Sequence, residues 1–199
     1  MVSREAVIDR RRLASGGLGL EINQTLDRFL AGVERRALRM ASISTGSWDE
    51  ALDIVQDAMM KFAIRYATRA ESEWGPLFQR ILQNGVTDWH RRNLVRNRWR
   101  RFLGKPDAQE ISGDPLQEIA DPLGREPAER LQGEQAMVHL EQAIGELPLR
   151  QQQAFMLRLW EGLSVQQTAA VMGCTQGSVK THYSRAVNCL REKLEAHRP

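Results

Sequence analysis

The segment from Trp160 to Leu194 constrains the fold most strongly, because its turn-forming and apolar residues fit two short helices joined by a tight turn. Ser164 is a favoured helix N-cap residue, and Gln167 follows at the spacing of a capping box. Gly173 tolerates the left-handed backbone conformation that often ends a helix. Thr175 can then cap a second helix. The segment therefore predicts a helix-turn-helix.

The second of these helices has one apolar stripe and one polar face. Its apolar stripe comprises Val179, Tyr183, Ala186, Val187, Leu190 and Leu194. Its polar face comprises Lys180, Thr181, Ser184, Arg185 and Asn188, whose cations, hydroxyls and amide can reach phosphates and base edges in a major groove. Two amphipathic helices around a glycine also occur in domains that never contact DNA. The basic second helix favours DNA binding over that structural interpretation.

Residues 1–20 are charged and then glycine-rich, which predicts a flexible tail. Residues 21–103 contain three apolar stripes at helical spacing, and no strand pattern interrupts them. We expect the first helix to end near residues 44–46 and the second to start near Ser47. A loop is predicted over residues 67–75, with Pro76 in the first turn of the third helix.

The second and third helices carry opposite charges on their polar faces. The second presents Asp53, Gln56 and Asp57, while the third ends in a basic run without an acid between Trp89 and Phe102. That run contains Arg91, Arg92, Arg96, Arg98, Arg100 and Arg101. Such a cluster predicts contact with a polyanion, although charged runs on helices are often only solvated faces.

Residues 104–134 differ in composition from both flanking segments. They contain four prolines, four glycines and eight acids against three bases, and they show no apolar period. This predicts an extended acidic linker. Helical patterns resume over residues 135–199, with Pro148 at the start of a helix. We therefore expect an all-α protein with two helical domains, at residues 21–103 and 135–199.

The composition excludes several classes of function. The two cysteines and four histidines form no cluster with metal-ligand spacing, and there is no nucleophile–base pair or glycine-rich phosphate loop. We therefore expect no enzyme activity, no cofactor and no metal. The formal net charge of +3 and the pI near 9.2 fit a polyanion partner. The chain lacks a membrane-length apolar run and an export signal core, so we expect a cytoplasmic protein with reduced cysteines and no membrane partner.

The order of these features resembles the bacterial RNA polymerase sigma factors of the sigma-70 family, in the small two-domain extracytoplasmic-function type. The segment Asp53-Ile-Val-Gln56-Asp57 is similar to the family's D-x-V-Q-E signature. Ile81-Leu-Gln-Asn84, with Asp88, Arg91 and Arg92, is similar to its I-A-x-N…D…RR segment. Leu147-Pro148 resembles the opening of region 4, and the run from Gly177 to Leu190 resembles the G-T-V-x-S…R-A…L recognition helix.

The resemblance implies a role for each of these groups of residues. Core RNA polymerase would be bound by Asp53, Gln56 and Asp57. The promoter −10 element would be bound by Asn84, Asp88, Arg91, Arg92 and Arg96. The −35 element would be bound by Lys180, Thr181, Ser184 and Arg185. The family also implies that the free protein is a monomer and that an anti-sigma factor is a candidate partner.

The aromatic residues bear on DNA opening. The resemblance implies that the loop from Tyr66 to Trp74 captures a flipped −10 base, and Trp74 and Trp99 are candidates for base stacking. Trp89 is expected in the core, since it continues the apolar stripe of Leu82 and Val86. The chain has Leu77 where the family often has Trp, and Gln166-Gln167 replaces a commoner acidic helix start.

Three alternatives stand beside a sigma factor. One is a helix-turn-helix regulator that acts without binding core polymerase, which would usually be a dimer on a two-fold site. Another is an enzyme or RNA-processing factor that uses the basic helical domain at residues 21–103. The sequence supplies no nucleophile–base pair, metal ligands or glycine-rich phosphate loop for it. The last is an interaction adaptor with a purely structural helix-turn-helix. The acidic linker is either a plain spacer or a segment that lies in the nucleic-acid channel of the polymerase.

Overall fold

Helices account for the regular structure over residues 18–102 and 127–195. The computed structural model of the protein describes residues 18–102 and 127–195, with side chains described over residues 24–99 and 136–195. Helices α1 (Leu18–Thr45), α2 (Trp48–Tyr66) and α3 (Glu71–Phe102) form the N-terminal unit. Helices α4 (Pro127–Gly145), α5 (Leu149–Leu159), α6 (Val165–Met172) and α7 (Gln176–Glu195) form the C-terminal unit. No strand occurs in these two ranges, so the predicted all-α class is confirmed.

The N-terminal unit is held together by aromatic and aliphatic packing among its three helices. Phe62 of α2 and Phe78 of α3 are both fully buried, and their ring centroids lie 5.9 Å apart. Phe29 of α1 completes the group at 5.4 Å from Phe62. Edge-to-face and tilted packing of this kind adds to the burial of large apolar side chains. The stripes seen in the sequence therefore meet in one core.

Local sequence signals set the ends of these helices. Gly46, at φ +68°, follows α1 in the left-handed conformation, and Ser47 caps α2 by accepting from the backbone N–H of Glu50. Both features agree with the prediction. Helix α3, however, begins at Glu71, so Pro76 lies inside the helix and not in its first turn. The predicted loop over residues 67–75 is therefore too long.

The reason for this difference is tertiary packing at Trp74. Its side chain is only 3% exposed, and its indole Nε1 donates to the backbone carbonyl of Arg69 at 3.0 Å. Burial of the indole between α1 and α2 anchors a helical turn before Pro76, where the sequence pattern alone shows a lapse. The expectation that Trp74 stacks on a base during strand opening is therefore wrong, because its ring lies in the core.

Two predicted segment boundaries also shift. Helix α1 begins at Leu18, inside the predicted tail, and α4 begins at Pro127, inside the predicted 104–134 linker. Proline is favoured at the first helical position, because its missing N–H would have no intrahelical partner there. Residues 1–17 and 103–126, which include most of the predicted tail and linker, lie outside the described residues.

The C-terminal unit packs around a second core of α4–α7, whose fully buried members include Ile144, Met156 and Leu157. This core also includes Met40 of α1, which is 1% exposed, while Leu149 of α5 packs against the N-terminal core. Helix α6 contacts α3 directly, and α4 contacts α1. The two units therefore lie against one another.

Candidate nucleic-acid interface

The helix-turn-helix is formed by α6 and α7 as predicted. Ser164 Oγ accepts from the Gln167 N–H at 3.1 Å, and Gln167 Oε1 accepts from the Ser164 N–H at 2.8 Å. This reciprocal capping box satisfies two backbone donors at the start of α6. Gly173 adopts φ 62° and ψ 40°, and the Cys174 N–H donates to the Ala169 carbonyl at 3.1 Å. These bonds end α6 and redirect the chain.

Helix α7 is fixed in place by its cap and its apolar stripe. Thr175 Oγ1 accepts from the Ser178 N–H at 3.1 Å, which confirms the predicted cap. Val179 is 1% exposed and Ala186 fully buried, so both lie in the C-terminal core. Tyr183 stacks on Phe155 of α5 with ring centroids 6.3 Å apart. The apolar stripe of α7 therefore faces inward, which turns the opposite face to solvent.

That solvent face contains all four residues predicted to contact the −35 element. Lys180, Thr181, Ser184 and Arg185 are each exposed. Thr181 Oγ1 donates to the Gly177 carbonyl at 3.0 Å, which leaves the hydroxyl oxygen free to accept. Two cations flanked by hydroxyls on one exposed helix face can neutralise phosphates and reach base edges.

A second exposed polar face lies on α3. Asn84, Asp88, Arg91, Arg92 and Arg96 are all exposed. Within this group, Arg91 Nη2 donates to Asp88 Oδ1 at 3.0 Å. Arg96 Nη1 lies 4.0 Å from the Glu50 carboxylate of α2, a distance that gives a weak solvent-screened pair. The face therefore keeps an excess of positive charge available to an anion.

Two of the tryptophans on α3 have clearly different environments. Trp89 is 8% exposed and belongs to the N-terminal core, as predicted. Trp99 is 62% exposed on the same helix as the arginines, and Leu94 and Val95 of this helix are exposed as well. An exposed indole on a basic helix can stack on an unpaired base. Of the candidates for stacking, Trp99 keeps an accessible ring and Trp74 does not.

The acidic face lies on α2, where Asp53, Gln56 and Asp57 are exposed. Asp57 pairs with Lys61 one turn later at 2.6 Å, with both side chains about half exposed. The structure adds Met60 and Ile64, which are 47% and 73% exposed. They follow Asp53 and Asp57 at helical spacing, so the face is part acidic and part apolar. Met60 and Ile64 are apolar residues that do not fall on the predicted apolar stripe of α2. This was the sequence signal that could have indicated their exposure.

No group of His, Cys, Asp or Glu able to hold a metal ion occurs in the part of the chain that the structure describes. Across residues 18–102 and 127–195, none of the helices is both long and apolar enough to cross a membrane. Cys174 and Cys189 are free and partly buried.

The chain matches known proteins over both units. The family model described as "Sigma-70, region 4" matches residues 138–190. An RNA polymerase sigma-E factor of Streptomyces antibioticus is 27% identical over 147 residues, covering 73% of this chain and 71% of the relative. The ECF RNA polymerase sigma factor SigM of Mycobacterium tuberculosis is 27% identical over 165 residues, covering 80% of this chain and 72% of the relative.

A solved structure shows the same architecture. The sigma factor RpoE of Bartonella quintana, in complex with the anti-sigma factor NepR, superposes with a TM-score of 0.60 at 25% identity. The match covers 89% of this chain and 99% of that chain, so it spans both units. Over both units the chain is therefore similar to RNA polymerase sigma factors of the extracytoplasmic-function type, and its residues 138–190 match region 4 of the sigma-70 family.

Proposed function

We propose that this sigma factor binds core RNA polymerase through the α2 face and reads promoter DNA through α3 and α7. The N-terminal unit would bind polymerase and the −10 element, and the C-terminal unit would bind the −35 element. The observation that supports this most directly is the geometry of α7. Its apolar stripe is buried, and all four predicted DNA-contact residues are exposed on its opposite face. A helix-turn-helix docks in a major groove with such a face.

The α2 face is the proposed polymerase contact. Asp53, Gln56 and Asp57 offer negative charge and hydrogen bonds, while Met60 and Ile64 offer apolar area beside them. Stable protein interfaces combine such an apolar centre with a polar rim. The expected partner surface is therefore basic at its edge and apolar at its centre.

The α3 face is the proposed −10 contact. Its arginines neutralise phosphates, and Asn84 offers an amide able to hydrogen-bond a base or the backbone. Trp99 is a stacking platform for an unpaired base during strand opening. Each of these roles is a binding role, so the proposed function involves no making or breaking of covalent bonds. The protein would work in the cytoplasm, and an anti-sigma factor, as in the Bartonella quintana complex, would be a candidate regulator.

Run-off transcription tests the proposal. Purified protein, sigma-free core polymerase and a pool of genomic fragments should give discrete new transcripts. The double variant Asp53→Ala/Gln56→Ala should lose them, whereas Gln24→Ala/Asp27→Ala, which removes an exposed amide and acid from α1, should not. Silence from a protein that binds duplex DNA but not core would overturn the proposal and indicate a regulator acting without polymerase.

A further inference from the structure

Two carboxylates lie within the arginine-rich face of α3. Asp88 is the one acid in the segment 84–99, and its Oδ1 accepts a hydrogen bond from Arg91 Nη2 at 3.0 Å. Glu50 belongs to α2, and its Oε1 lies 4.0 Å from Arg96 Nη1 of α3. Each carboxylate therefore faces an arginine that a DNA phosphate would otherwise contact.

The helical spacing of α3 places Asp88 inside the face that would dock on DNA. Asp88, Arg92, Val95 and Trp99 follow one another at intervals of four, three and four residues, so they share one side of the helix. All four are exposed. Arg92 Nε also donates to the backbone carbonyl of Asp88 at 3.4 Å. Asp88 is therefore surrounded by groups that suit contact with a nucleic acid.

An acid in this position opposes binding to the DNA backbone. A carboxylate repels phosphate, and a guanidinium paired with it must give up or share that pair before it can neutralise a phosphate. Both pairs are exposed, at 78% and 56% for the side chains of Arg91 and Asp88 and at 49% and 38% for those of Arg96 and Glu50. Exposed pairs are weak, so a phosphate can displace them. The two acids therefore lower the affinity for phosphate without abolishing it.

This penalty differs between duplex DNA and an opened strand. A duplex carries one negative charge per about 1.7 Å of its axis, whereas a single strand carries one per about 3.4 Å. Repulsion by Glu50 and Asp88 is therefore stronger against a duplex. An opened strand also offers unpaired bases to the exposed ring of Trp99, and amino groups on its base edges can donate to a carboxylate. The two acids thus favour the opened strand.

We propose that Glu50 and Asp88 are specificity-determining residues that make α3 discriminate against duplex DNA and favour the opened −10 strand. This inference rests on the proposed function, in which α3 contacts the −10 element. Glu50 restrains Arg96, and Asp88 restrains Arg91. Noncognate sites, which greatly outnumber promoters and stay closed, are then bound less tightly relative to an opened promoter.

Fluorescence anisotropy of the full-length protein tests the inference, with a random-sequence duplex and one of its strands as probes. Glu50→Gln and Asp88→Asn should each tighten duplex binding about threefold to fivefold, and strand binding by less. Each should also steepen the fall of log K with log salt on the duplex by about 0.9, because one more arginine neutralises a phosphate. Equal gains on duplex and strand, or weaker duplex binding, would overturn the inference.

The matched control is Asp27→Asn, which makes the same change in net charge at an exposed position of α1. Asp27 lies about 27 Å along the helix from Thr45, the end of α1 that leads to α2, and so beyond a Debye length of about 10 Å. It should alter neither the affinity nor the salt slope. Gains equal to those of Glu50→Gln would reduce the effect to net charge and refute the local role.

A double-mutant cycle separates the proposed role from a structural one. In an Arg96→Ala background, Glu50→Gln should no longer change the salt slope of duplex binding, and Asp88→Asn should behave likewise in an Arg91→Ala background. A structural role for Glu50 would lower the free energy of unfolding and leave the slope unchanged. Unchanged duplex binding by Asp88→Asn, together with relaxed preference at one −10 position, would make Asp88 a direct base contact and contradict the inference.

Run-off transcription distinguishes failure of this inference from failure of the proposed function. With recovered promoters and an excess of random-sequence duplex, Glu50→Gln/Asp88→Asn should lose more transcript than wild type. If the wild type gives no transcripts while anisotropy follows the charge changes, the two acids restrain DNA binding and the proposed function fails. If the wild type initiates transcription while neither variant changes duplex binding, the proposed function stands and this inference fails.

Discussion

Arg150 Nη1 of α5 donates a hydrogen bond of 2.9 Å to the backbone carbonyl of Met172, the last residue of α6. The contact places a cation at the negative end of the α6 dipole and satisfies a carbonyl that the helix itself leaves unpaired. Gln153 Oε1 accepts a second, longer bond from Arg150 at 3.4 Å. Arg150 therefore ties the turn of the helix-turn-helix to the helix that precedes it.

We expect Arg150→Met, which keeps the apolar stem, to lower the free energy of unfolding by about 1–2 kcal/mol, because the Met172 carbonyl loses a charged donor. Chemical denaturation followed by circular dichroism measures this change. Arg191→Met, at an exposed position on α7, is the control and should change stability little. Equal losses from both variants would show that the Met172 contact is not responsible.

Gly173 allows a test of the turn itself. Its φ is +62° and a Cβ there would meet no atom within 4 Å, so any cost of Gly173→Ala comes from backbone conformation. We expect Gly173→Ala to lower the free energy of unfolding by about 1 kcal/mol. Gly32 lies in the middle of α1, and a Cβ there would also meet no atom within 4 Å. Gly32→Ala should instead raise the free energy of unfolding by about 0.5–1 kcal/mol. Thermal denaturation of the two variants should therefore shift in opposite directions, and shifts of the same sign would contradict this account.

The parts of the fold predicted correctly are those set by short-range chemistry. The capping pair Ser164 and Gln167, the left-handed Gly173 and the stripe through Val179 each depend on residues a few positions apart. The exposure of the predicted contact residues on α7 follows from the same periodicity, because burial of one face exposes the other. Sequence spacing is sufficient for such features.

Features set by long-range packing could not be predicted in this way. Trp74 appeared to lie in a loop because Pro76 is commonest in a first helical turn, but burial against Phe62 and Phe29 extends the helix. The Arg39–Glu141 contact joins residues 102 positions apart, and no local period signals it. Contacts between the two units depend on which helix faces meet in the folded protein. The spacing of apolar residues in a single sequence does not indicate which faces these are.

The two environments of tryptophan lead to a paired prediction. Trp74→Phe should destabilise the protein by about 1–3 kcal/mol, because the Arg69 carbonyl loses its donor and the core loses volume. Trp99→Phe should leave stability unchanged, since the ring is 62% exposed. Denaturation curves measure both. In promoter opening, followed by permanganate reactivity of unpaired thymines, Trp99→Ala should be impaired, and normal opening would contradict its proposed stacking role.

His90 predicts a pH dependence of stability. Burial lowers the pKa of His90 below 6.5, and a hydrogen bond with the Ser44 backbone opposes this shift without cancelling it. Its Nε2 is buried without a partner within the described residues. Between the folded-state pKa and 6.5 the unfolded chain binds the proton more readily, so stability falls as pH drops through that window. Denaturation at about pH 7.5 and about pH 5.5 should show a smaller loss in His90→Gln than in wild type. An identical loss would contradict this assignment.

Arg185 and Lys180 can be assigned to bases or phosphates by combining promoter variants with salt. Arg185→Ala should lower initiation at promoters with the cognate −35 element. If Arg185 contacts a base, Arg185→Ala should weaken the free energy of promoter binding by about 1–3 kcal/mol. The variant should also relax the sequence preference at one position of the −35 element. If Lys180 contacts a phosphate, Lys180→Ala should weaken all promoters alike and reduce the slope of log K against log salt by about 1. Run-off transcription and fluorescence anisotropy measure the two effects, with Arg191→Ala, further along α7, as the control. Unchanged activity of Arg185→Ala at every promoter would remove Arg185 from the proposed interface, because an exposed cation on a docked recognition helix cannot be silent at all of its sites.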